Sequence, residues 1–443
     1  MSTTYEANPR VRLPQRPGDA ANLLIRGARI LDPAAGIDRE GDLVIRDGVI
    51  GGDPVGLEVV DGTGLTVVPG LVDVHVHLRT PGKEYAEDIA TGTASAAAGG
   101  VVTVLAMPNT QPPTDNPSIL GSLLERAARE AVVPTGFIPA ITVGQQGEAL
   151  TEHGDMAEAG AAALSDDGVP VDSALVMRRA LQYQRATGLL FTLHEEDMSL
   201  SGPGVMHEGV VSARIGLAGI PGVSEAVQVA RDCSLAAYED GRIHICHVSS
   251  RETVEEIRLA KARGVKVTAE VTPHHLLLTE QAVSDDPDPA KFKMNPPLRA
   301  DEDRKALIEA LVDGTIDCIA TDHAPHPADE KENPFAAAPF GVIGLETSFA
   351  ACHTELVMGG HMDLTDLILR MSTNPARIFG LPVPTLADGA PANLAVVDLA
   401  ATDRVGDRPY ASKSTNTAFV GMELTGRVVM TLAGGQDVYR RDA

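Results

Sequence analysis

The stretch VDVHVHLR, residues 72–79, has the composition of a buried β-strand and carries His75 and His77 two positions apart. Side chains alternate between the two faces of a strand, so both imidazoles and Asp73 are predicted to share one face and the three valines the other. Two imidazoles that converge from one strand suit a zinc-like ion. Thirteen histidines in this chain give roughly 0.4 such pairs by chance. The pair therefore needs further ligands from elsewhere in the sequence.

Apolar runs with the composition of strands recur along the chain, separated by stretches of helical composition. Segments 87–100 and 251–265 are two such helical stretches, and each ends at or beside a glycine, as helices often do. Eight strands that alternate with helices predict an α/β fold in which a parallel sheet closes into a (β/α)8 TIM-like barrel. The eight runs are 71–77, 101–107, 135–143, 160–165, 188–194, 242–248, 264–272 and 315–321.

The two ends of the chain have a different pattern. Residues 22–60 and 393–443 contain short apolar segments punctuated by Gly, Asp and Pro, which is typical of antiparallel β-structure. Neither end has enough strands for a stable sandwich, so we expect them to pair into one small β-sandwich domain rather than form two independent flaps. The predicted division is 1–68 and 385–443 for the two parts of this domain and 69–384 for the barrel.

Composition indicates a globular cytoplasmic protein. Hydrophobic residues make up 44% of the chain and charged residues 22%, and the longest apolar runs are too short to span a bilayer. The first twenty residues lack the apolar core of a secretory signal, and their polar, proline-containing composition predicts disorder. Four cysteines without C-x-x-C spacing fit reduced thiols. The net charge of −25 disfavours nucleic acid as a partner.

Residues that suit a metal site lie at the ends of five of the eight predicted strands. Active sites of such barrels lie at the C-terminal ends of the strands, so these residues are expected to meet at one rim. Each has a structural alternative, such as a core histidine, a turn at Asp166-Asp167-Gly168 or a helix cap at Asp322. Their shared position favours a site for two metal ions that share a carboxylate. The candidates are His75, His77, Asp166 or Asp167, His194, His247 and Asp322.

Other polar residues near the same rim suit an anionic, amide-rich ligand. Arg79 can grip a carboxylate bidentately, and Asn109 and His326 can complete its hydrogen bonds. The long, proline-rich segment 323–346 follows the last strand and is predicted to cover the substrate. Further candidate contacts are Asn295 in KMNPPLR and, within the covering segment, Pro339 and Gly341. Either His274 or His275, after the seventh strand, could be structural.

With these residues assembled, the sequence resembles the amidohydrolase superfamily and, within it, the type I dihydroorotases. The resemblance covers the barrel and extends more loosely into the terminal segments. It is carried by an ordered series of motifs: PGLVDVHVHLRTPG, VVTVLAMPNTQPPTDNP, ALSDDGVPV, LHEEDMSLSGPGVMHEG, RIGLAGIPG, HICHVSS, VTPHHLLLT, KMNPPLR, IDCIATDHAPH, PFGVIGLET and STNPARIFGL.

The resemblance implies roles for the candidate residues. Relatives such as hydantoinases bridge two metals with a carboxylated lysine, but ALSDDGVPV contains no lysine, so this chain is similar to the aspartate-bridged branch. Spacing to the next ligand favours Asp167 over Asp166 as that bridge. The other implied metal ligands are His75, His77, His194, His247 and Asp322, and the implied ligands of the substrate carboxylate are Arg79, Asn109 and His326.

The implied activity is the reversible hydrolysis of (S)-dihydroorotate to N-carbamoyl-L-aspartate in pyrimidine biosynthesis. One or two Zn²⁺ ions per subunit would supply a hydroxide, and Asp322 would act as general acid and base. A homodimer is expected, and a complex with aspartate transcarbamoylase is a further expectation. The alternatives are a related cyclic amidase, such as an allantoinase or a dihydropyrimidinase (hydantoinase), and a non-catalytic partner of aspartate transcarbamoylase. An inactive relative would be expected to lose metal ligands, whereas all are present here.

Overall fold

The computed structural model describes residues 7–286 and 288–441, and it contains the predicted barrel. Seven of the barrel positions are regular strands, and the fourth is a single bridge between Leu164 and Phe191. The order of pairing follows the chain, and the ring closes where His77 N donates to His323 O at 2.8 Å. The regular barrel strands are β6 (Leu71–Val76), β7 (Val101–Ala106), β8 (Thr135–Phe137), β9 (Phe191–Leu193), β12 (Arg242–Ile245), β13 (Lys266–Val271) and β14 (Cys318–Ile319).

Helices alternate with these strands and cover the outside of the barrel. The helix that starts at Ile89 has a capping box formed by Asp88 and Thr91, and the helix that starts at Arg251 is capped by Ser250, whose hydroxyl accepts from Thr253 N. The helices are α1 (Ile89–Ala98), α2 (Pro117–Glu130), α3 (His153–Ala159), α4 (Ala174–Thr187), α5 (Met198–Ser201), α6 (Val210–Ile215), α7 (Gly222–Glu239), α8 (Arg251–Ala262), α9 (Pro273–Leu277), α10 (Gln281–Asp285), α11 (Asp301–Asp313), α12 (Ala328–Lys331), α13 (Ser348–Cys352), α14 (Leu364–Ile368) and α15 (Asn374–Ile378). Short π-helical turns at His353–Met358 and Leu369–Thr373 continue α13 and α14, and β10 (Met206–His207) and β11 (Gly219–Ile220) form a separate small sheet.

The two ends of the chain pair with each other, as predicted, and form one eight-stranded sheet. Strand β5 pairs with β15 in antiparallel fashion, with Val67 opposite Val396, and this pairing joins the N-terminal strands to the C-terminal ones. The sheet curls around its own apolar cluster, which includes Ile25, Ile45 and Leu432. The strands are β1 (Leu23–Asp32), β2 (Ile37–Arg46), β3 (Val49–Ile50), β4 (Glu58–Asp61), β5 (Thr66–Pro69), β15 (Leu394–Arg404), β16 (Glu423–Ala433) and β17 (Gln436–Arg440).

The pairing of β5 with β15 excludes two independent flaps and confirms the fold class. The exact domain boundaries at residues 69 and 385 stay a prediction. In the described part of the chain, no helix is long and apolar enough to cross a membrane.

The strict alternation of faces predicted for β6 is wrong, because the strand contains a bulge. Its register with β7 shifts between Asp73 and Val76. Val72 and Val74 join the apolar cluster that fills the barrel, whereas Val76 belongs to the cluster that the surrounding helices share. An extra residue in one strand turns the side chains that follow it. His75 can therefore face the interior of the barrel although Val74 precedes it directly.

The prediction of a disordered N-terminus is wrong for residues 7–20, while residues 1–6 lie outside the described part of the chain. Backbone bonds tie this segment to the barrel: Arg12 N donates to Gly160 O at 3.2 Å, and Thr135 N donates to Pro14 O at 3.0 Å. Leu13 packs against the apolar cluster inside the barrel. The segment lies across the N-terminal side of the barrel, because it contacts residues that precede or begin the strands.

We expect Gln15→Ala to lower the thermal unfolding temperature. The Gln15 amide donates to Val132 O at 2.8 Å in the barrel and to Ala433 O at 3.1 Å in the terminal sheet. Its removal leaves two carbonyl oxygens without this donor, at a cost of about 1–3 kcal/mol. Gln146→Ala is the matched control, since the Gln146 amide is exposed and bonds only to Gly144 O. Equal unfolding temperatures for the two variants would contradict the role of Gln15.

Candidate active site

The candidate residues surround a cavity of about 220 Å³ at the C-terminal ends of the barrel strands. His75 lies in the bulge of β6, His77 follows that strand, and Asp167 follows the fourth strand position. His194, His247 and Asp322 follow β9, β12 and β14. His75 lies beneath the cavity and is fully buried. The walls are His77, Arg79, Asn109, Asp167, Gly168, His194, His247, Asn295, Asp322, Ala324, His326, Phe340 and Gly341.

The two aspartates lie among the imidazoles. Asp322 Oδ1 lies 3.0 Å from His77 Nε2 and 3.6 Å from His75 Nε2. Asp167 Oδ1 lies 3.3 Å from His75 Nε2 and 3.7 Å from His247 Nε2. His194 Nδ1 approaches His247 Nε2 to 3.0 Å. Two groups thus have ligand atoms close enough to hold one ion each, His75 with His77 and Asp322, and His75 with Asp167 and His247.

Left-handed backbone conformations aim three of the site residues. The φ angles of Arg79, His247 and Asp322 are 53°, 32° and 47°. These are three of the six non-glycine residues with positive φ in the described ranges. Each such conformation costs on the order of 1–3 kcal/mol and persists only where the surroundings enforce it. The strand ends are therefore bent so that these side chains turn towards the cavity.

Glu270 orients His75, and sequence reasoning missed it. His75 Nδ1 donates to Glu270 Oε1 at 2.6 Å, and Glu270 Oε2 lies 3.1 Å from His244 Nε2. Burial alone would raise the pKa of Glu270, but His75 and His244 lower it to about 2. Because Nδ1 is held by Glu270, Nε2 of His75 points towards Asp167. The sequence signal that could have revealed Glu270 is a charged residue inside the apolar run 264–272.

Two amide side chains and a second glutamate support other candidate ligands. Asn109 accepts from His77 Nδ1 at 2.8 Å and donates to Asp167 Oδ2 at 3.1 Å. Its amide is therefore engaged with His77 and Asp167, although it still borders the cavity. Glu196, which was also missed, lies 3.2 Å from His194 Nε2 and accepts from Asn295 Nδ2 at 2.8 Å. Hydrogen bonds of this kind fix ring orientation at metal sites.

The donor set fits a divalent metal. His75 Nε2 and Asp167 Oδ1 are buried, and neither forms a hydrogen bond with a protein group, although they lie 3.3 Å apart. Buried polar atoms without partners are costly, and a cation held between a lone pair and a carboxylate removes that cost. Burial lowers the pKa of His75, but Asp167, Cys246 and Glu270 outweigh it and raise the pKa well above its usual value. The site thus favours positive charge at this point.

The structure separates the two adjacent aspartates. Asp167 faces the cavity, whereas Asp166 accepts from Ile141 N at 2.8 Å and from Thr142 N at 3.1 Å. Asp166 also accepts from the Thr142 hydroxyl. Burial raises the pKa of Asp166 to about 6. Asp166 therefore holds the segment that follows β8, and Asp167 is the member of the pair available to a cation.

Arg79 and His326 form a basic wall of the cavity. Arg79 Nε donates to Pro325 O at 3.1 Å, and its Nη2 lies 3.2 Å from His326 Nε2. Asn416, from the C-terminal part of the chain, accepts from His326 N at 3.1 Å and donates to Gly341 O at 3.1 Å. Sequence reasoning missed Asn416, because its distance from the barrel motifs gives no signal of this contact.

The covering segment 323–346 is folded over the site. Gly341 borders the cavity with φ 129°, and a Cβ there would lie 2.8 Å from Ala324 Cβ, so only glycine fits. Pro339 does not border the cavity, and its carbonyl accepts from Lys331 Nζ at 2.9 Å. The ring nitrogens of His275 contact Thr272 Oγ1 and Pro296 O, which makes His275 the structural member of its pair.

Comparison with known proteins decides the family. The dihydroorotase of Anaeromyxobacter dehalogenans strain 2CP-1 is 48% identical over 95% of this chain and 98% of that protein. The dihydroorotase of Geobacter metallireducens is 46% identical over 95% of this chain and all of that protein. The chain belongs to the dihydroorotase family. The family model described as dihydro-orotase-like matches residues 64–253, from β5 to α8.

Solved structures of the wider amidohydrolase superfamily share the fold. The L-hydantoinase (dihydropyrimidinase) of Arthrobacter aurescens superposes with a TM-score of 0.82, at 27% identity, over 96% of this chain and 97% of that one. The dihydropyrimidinase of Brevibacillus agri has the same TM-score, at 22% identity, over 95% of each chain. This dihydroorotase-family chain therefore shares its fold with structures named hydantoinase and dihydropyrimidinase.

We expect Asp167→Asn to weaken the binding of divalent metal by at least about tenfold, because it removes a charged ligand from the centre of the cluster. Asp166→Asn is the matched control, since an asparagine oxygen can still accept from the backbone of residues 141 and 142. Metal content per chain, measured after dialysis against a series of zinc buffers, gives both affinities. A larger loss in Asp166→Asn than in Asp167→Asn would reverse their assigned roles.

Proposed function

We propose that the cavity hydrolyses (S)-dihydroorotate reversibly to N-carbamoyl-L-aspartate. The observation that carries the proposal is the position of Arg79 and His326 on the wall of the same cavity that holds Asp322. A guanidinium beside a hydrolytic centre suits a cyclic amide that also carries a carboxylate. Membership of the dihydroorotase family supports the same substrate. In pyrimidine biosynthesis the reaction runs in the reverse direction, and N-carbamoyl-L-aspartate closes to form the ring of dihydroorotate.

One or two Zn²⁺ ions are the proposed metal. His75, His77, His194, His247, Asp167 and Asp322 would hold them, because imidazole and carboxylate ligands suit zinc. A zinc ion bound there would lower the pKa of water towards neutrality and polarise the amide carbonyl. Glu270 and Asn109 would keep the ring nitrogens of His75 and His77 turned towards the cavity through the hydrogen bonds described above.

Asp322 is the proposed proton carrier. Its carboxylate is buried, which by itself raises the pKa, but the hydrogen bond with His77 and the nearby His75 and His247 lower the pKa below its usual value. Asp322 is therefore ionised and able to accept a proton. It takes that proton from the attacking water and returns it to the ring nitrogen as the amide C–N bond breaks. The left-handed backbone at this residue holds the carboxylate against the cavity.

Arg79 and His326 are proposed to bind the substrate carboxylate, with Asn109 and Asn295 beside them. Contacts to the non-reacting end of a substrate orient its reacting carbonyl and raise the effective concentration of the two reactants. The backbone around Gly341 lines the cavity beside His326, and Pro339 would act through the Lys331 contact that positions it. A neutral cyclic amide such as hydantoin or allantoin would leave Arg79 without an anionic partner.

Turnover of dihydroorotate tests the proposed function directly. We expect the zinc-loaded protein to hydrolyse dihydroorotate with a kcat/KM at least about 100-fold above that for hydantoin or allantoin, since an unpaired buried charge is strongly unfavourable. Removal of the metal with a chelator should abolish turnover, and zinc should restore it. An active preparation with less than one ion per chain, or a preference for the neutral substrates, would contradict the proposal.

The assembly and location of the protein remain predictions of the sequence. A homodimer, a complex with an aspartate transcarbamoylase subunit and a cytoplasmic location belong to this group. Sedimentation equilibrium of the purified chain, alone and mixed with the transcarbamoylase, tests the first two. Neither changes the residues proposed for catalysis, all of which come from one chain.

We expect Asp322→Asn to lower kcat by about 10²–10⁴-fold, the usual contribution of a general acid and base. Asparagine keeps the size of the side chain, so the unfolding temperature and the circular dichroism spectrum should change little. The matched control is Asp388→Asn, an exposed aspartate of the C-terminal part of the chain. Near-normal turnover by the Asp322 variant would remove this residue from the proton-carrying role.

A further inference from the structure

The ring of His326 contacts three groups that make incompatible demands on its protons. Nδ1 lies 2.8 Å from Glu330 Oε2, which as a carboxylate only accepts. Nε2 lies 2.9 Å from Phe340 O, which also only accepts. The same Nε2 lies 3.2 Å from Arg79 Nη2, which only donates. No protonation state of the imidazole satisfies all three contacts.

The neutral ring satisfies two of the three. Glu330 keeps the single proton on Nδ1, so Nε2 presents a lone pair that accepts from Arg79 and faces Phe340 O unfavourably. A doubly protonated ring would instead satisfy Glu330 and Phe340 but would be repelled by Arg79. Each form satisfies two contacts, but only the doubly protonated ring places two cations against each other, so without a ligand the neutral form is favoured.

The charged groups around His326 also favour the neutral imidazole. Arg79 faces the ring from the end of β6, and Glu330 and Lys331 face it from α12. Lys83 and Tyr85 act on Glu330 from the other side, and the Tyr85 hydroxyl donates to Glu330 Oε1 at 3.0 Å. Burial first, and then Arg79, lower the pKa of His326 to about 4. The ring is thus neutral at pH 6 and above.

A substrate carboxylate changes the balance. Placed against both Arg79 and His326, it accepts from the guanidinium and so removes the need for a lone pair on Nε2. It also requires a donor from the ring, and Nε2 can donate only if it carries a proton. Because Glu330 holds the other proton on Nδ1, the ring must gain one from solvent.

We propose that Glu330 is a positioning residue that couples binding of the substrate carboxylate to uptake of one proton by His326. The inference rests on the proposed function, because it takes the ligand to be an acid held by Arg79 and His326. In the described part of the chain, the Glu330 carboxylate forms side-chain hydrogen bonds only with His326 and Tyr85. It therefore acts on the substrate through the imidazole.

Glu330→Gln separates this role from a structural one. A glutamine amide can donate to Nδ1, which leaves the neutral ring free to carry its one proton on Nε2. The variant can then donate to the carboxylate without taking up a proton. Glu332→Gln is the matched control, since it removes the same charge from an exposed position just after α12.

Calorimetry measures the linked proton. The probe is orotate, a planar analogue of dihydroorotate with the same carboxylate, titrated into the zinc-loaded protein at pH 6 in buffers of different ionisation enthalpy. At this pH Lys331, whose pKa burial lowers to about 7, is mostly protonated before and after binding. We expect uptake of about one proton by the wild type and by Glu332→Gln, and about none by Glu330→Gln.

The pH dependence of KM for dihydroorotate gives a second readout. In the wild type, KM should rise with pH and approach a tenfold increase per pH unit, whereas in Glu330→Gln it should stay nearly flat. At high pH the variant should thus bind substrate more tightly than the wild type, which damage to the fold would not produce. Equal proton uptake by wild type and Glu330→Gln, or none by the wild type, would overturn the inference.

The outcomes also distinguish the two proposals. Turnover of dihydroorotate without linked proton uptake leaves the proposed function in place and removes the role of Glu330. Absence of both turnover and orotate binding in the zinc-loaded protein contradicts the two together.

Discussion

The hydrogen bond from His75 to Glu270 is the contact on which the arrangement of the site depends. It fixes the Nδ1 edge of the ring and directs Nε2, fully buried, between Asp167 and Asp322. That nitrogen belongs to both groups of candidate ligands, so a rotated His75 would disturb both at once. Glu270 is also buried and is held by His244 from the next strand. The floor of the cavity is therefore a chain of three fixed groups across β6, β13 and β12.

Backbone geometry completes what this contact begins. The bulge in β6 turns His75 inward, and left-handed conformations at Arg79, His247 and Asp322 turn the ends of three strands towards one another. Such conformations are unfavourable in isolation, and the closed barrel maintains them. The stability of the barrel is in this way used to hold polar and charged side chains together in a buried space, where they would otherwise separate.

The sequence predicted the barrel and most of the cavity, because residues at the C-terminal ends of barrel strands lie close together although they are far apart in the chain. The rule could not reveal the bulge, since the shift at Asp73 depends on pairing with β7 rather than on composition. It could not reveal Asn416, whose contacts with His326 and Gly341 join segments far apart in the chain. The N-terminal segment 7–20 was wrongly predicted to be disordered, because its order comes largely from backbone hydrogen bonds, which leave no trace in composition.

Pairing of β5 with β15 has a consequence for the order in which the chain acquires its structure. The paired residues Val67 and Val396 are roughly 330 positions apart, so the N-terminal strands cannot complete their sheet until nearly the whole chain has been synthesised. The barrel lies between them and can form first. Asn416 arrives with the same late segment and fixes His326 and Gly341. During synthesis, closure of the terminal sheet and completion of the substrate wall are thus a single late event.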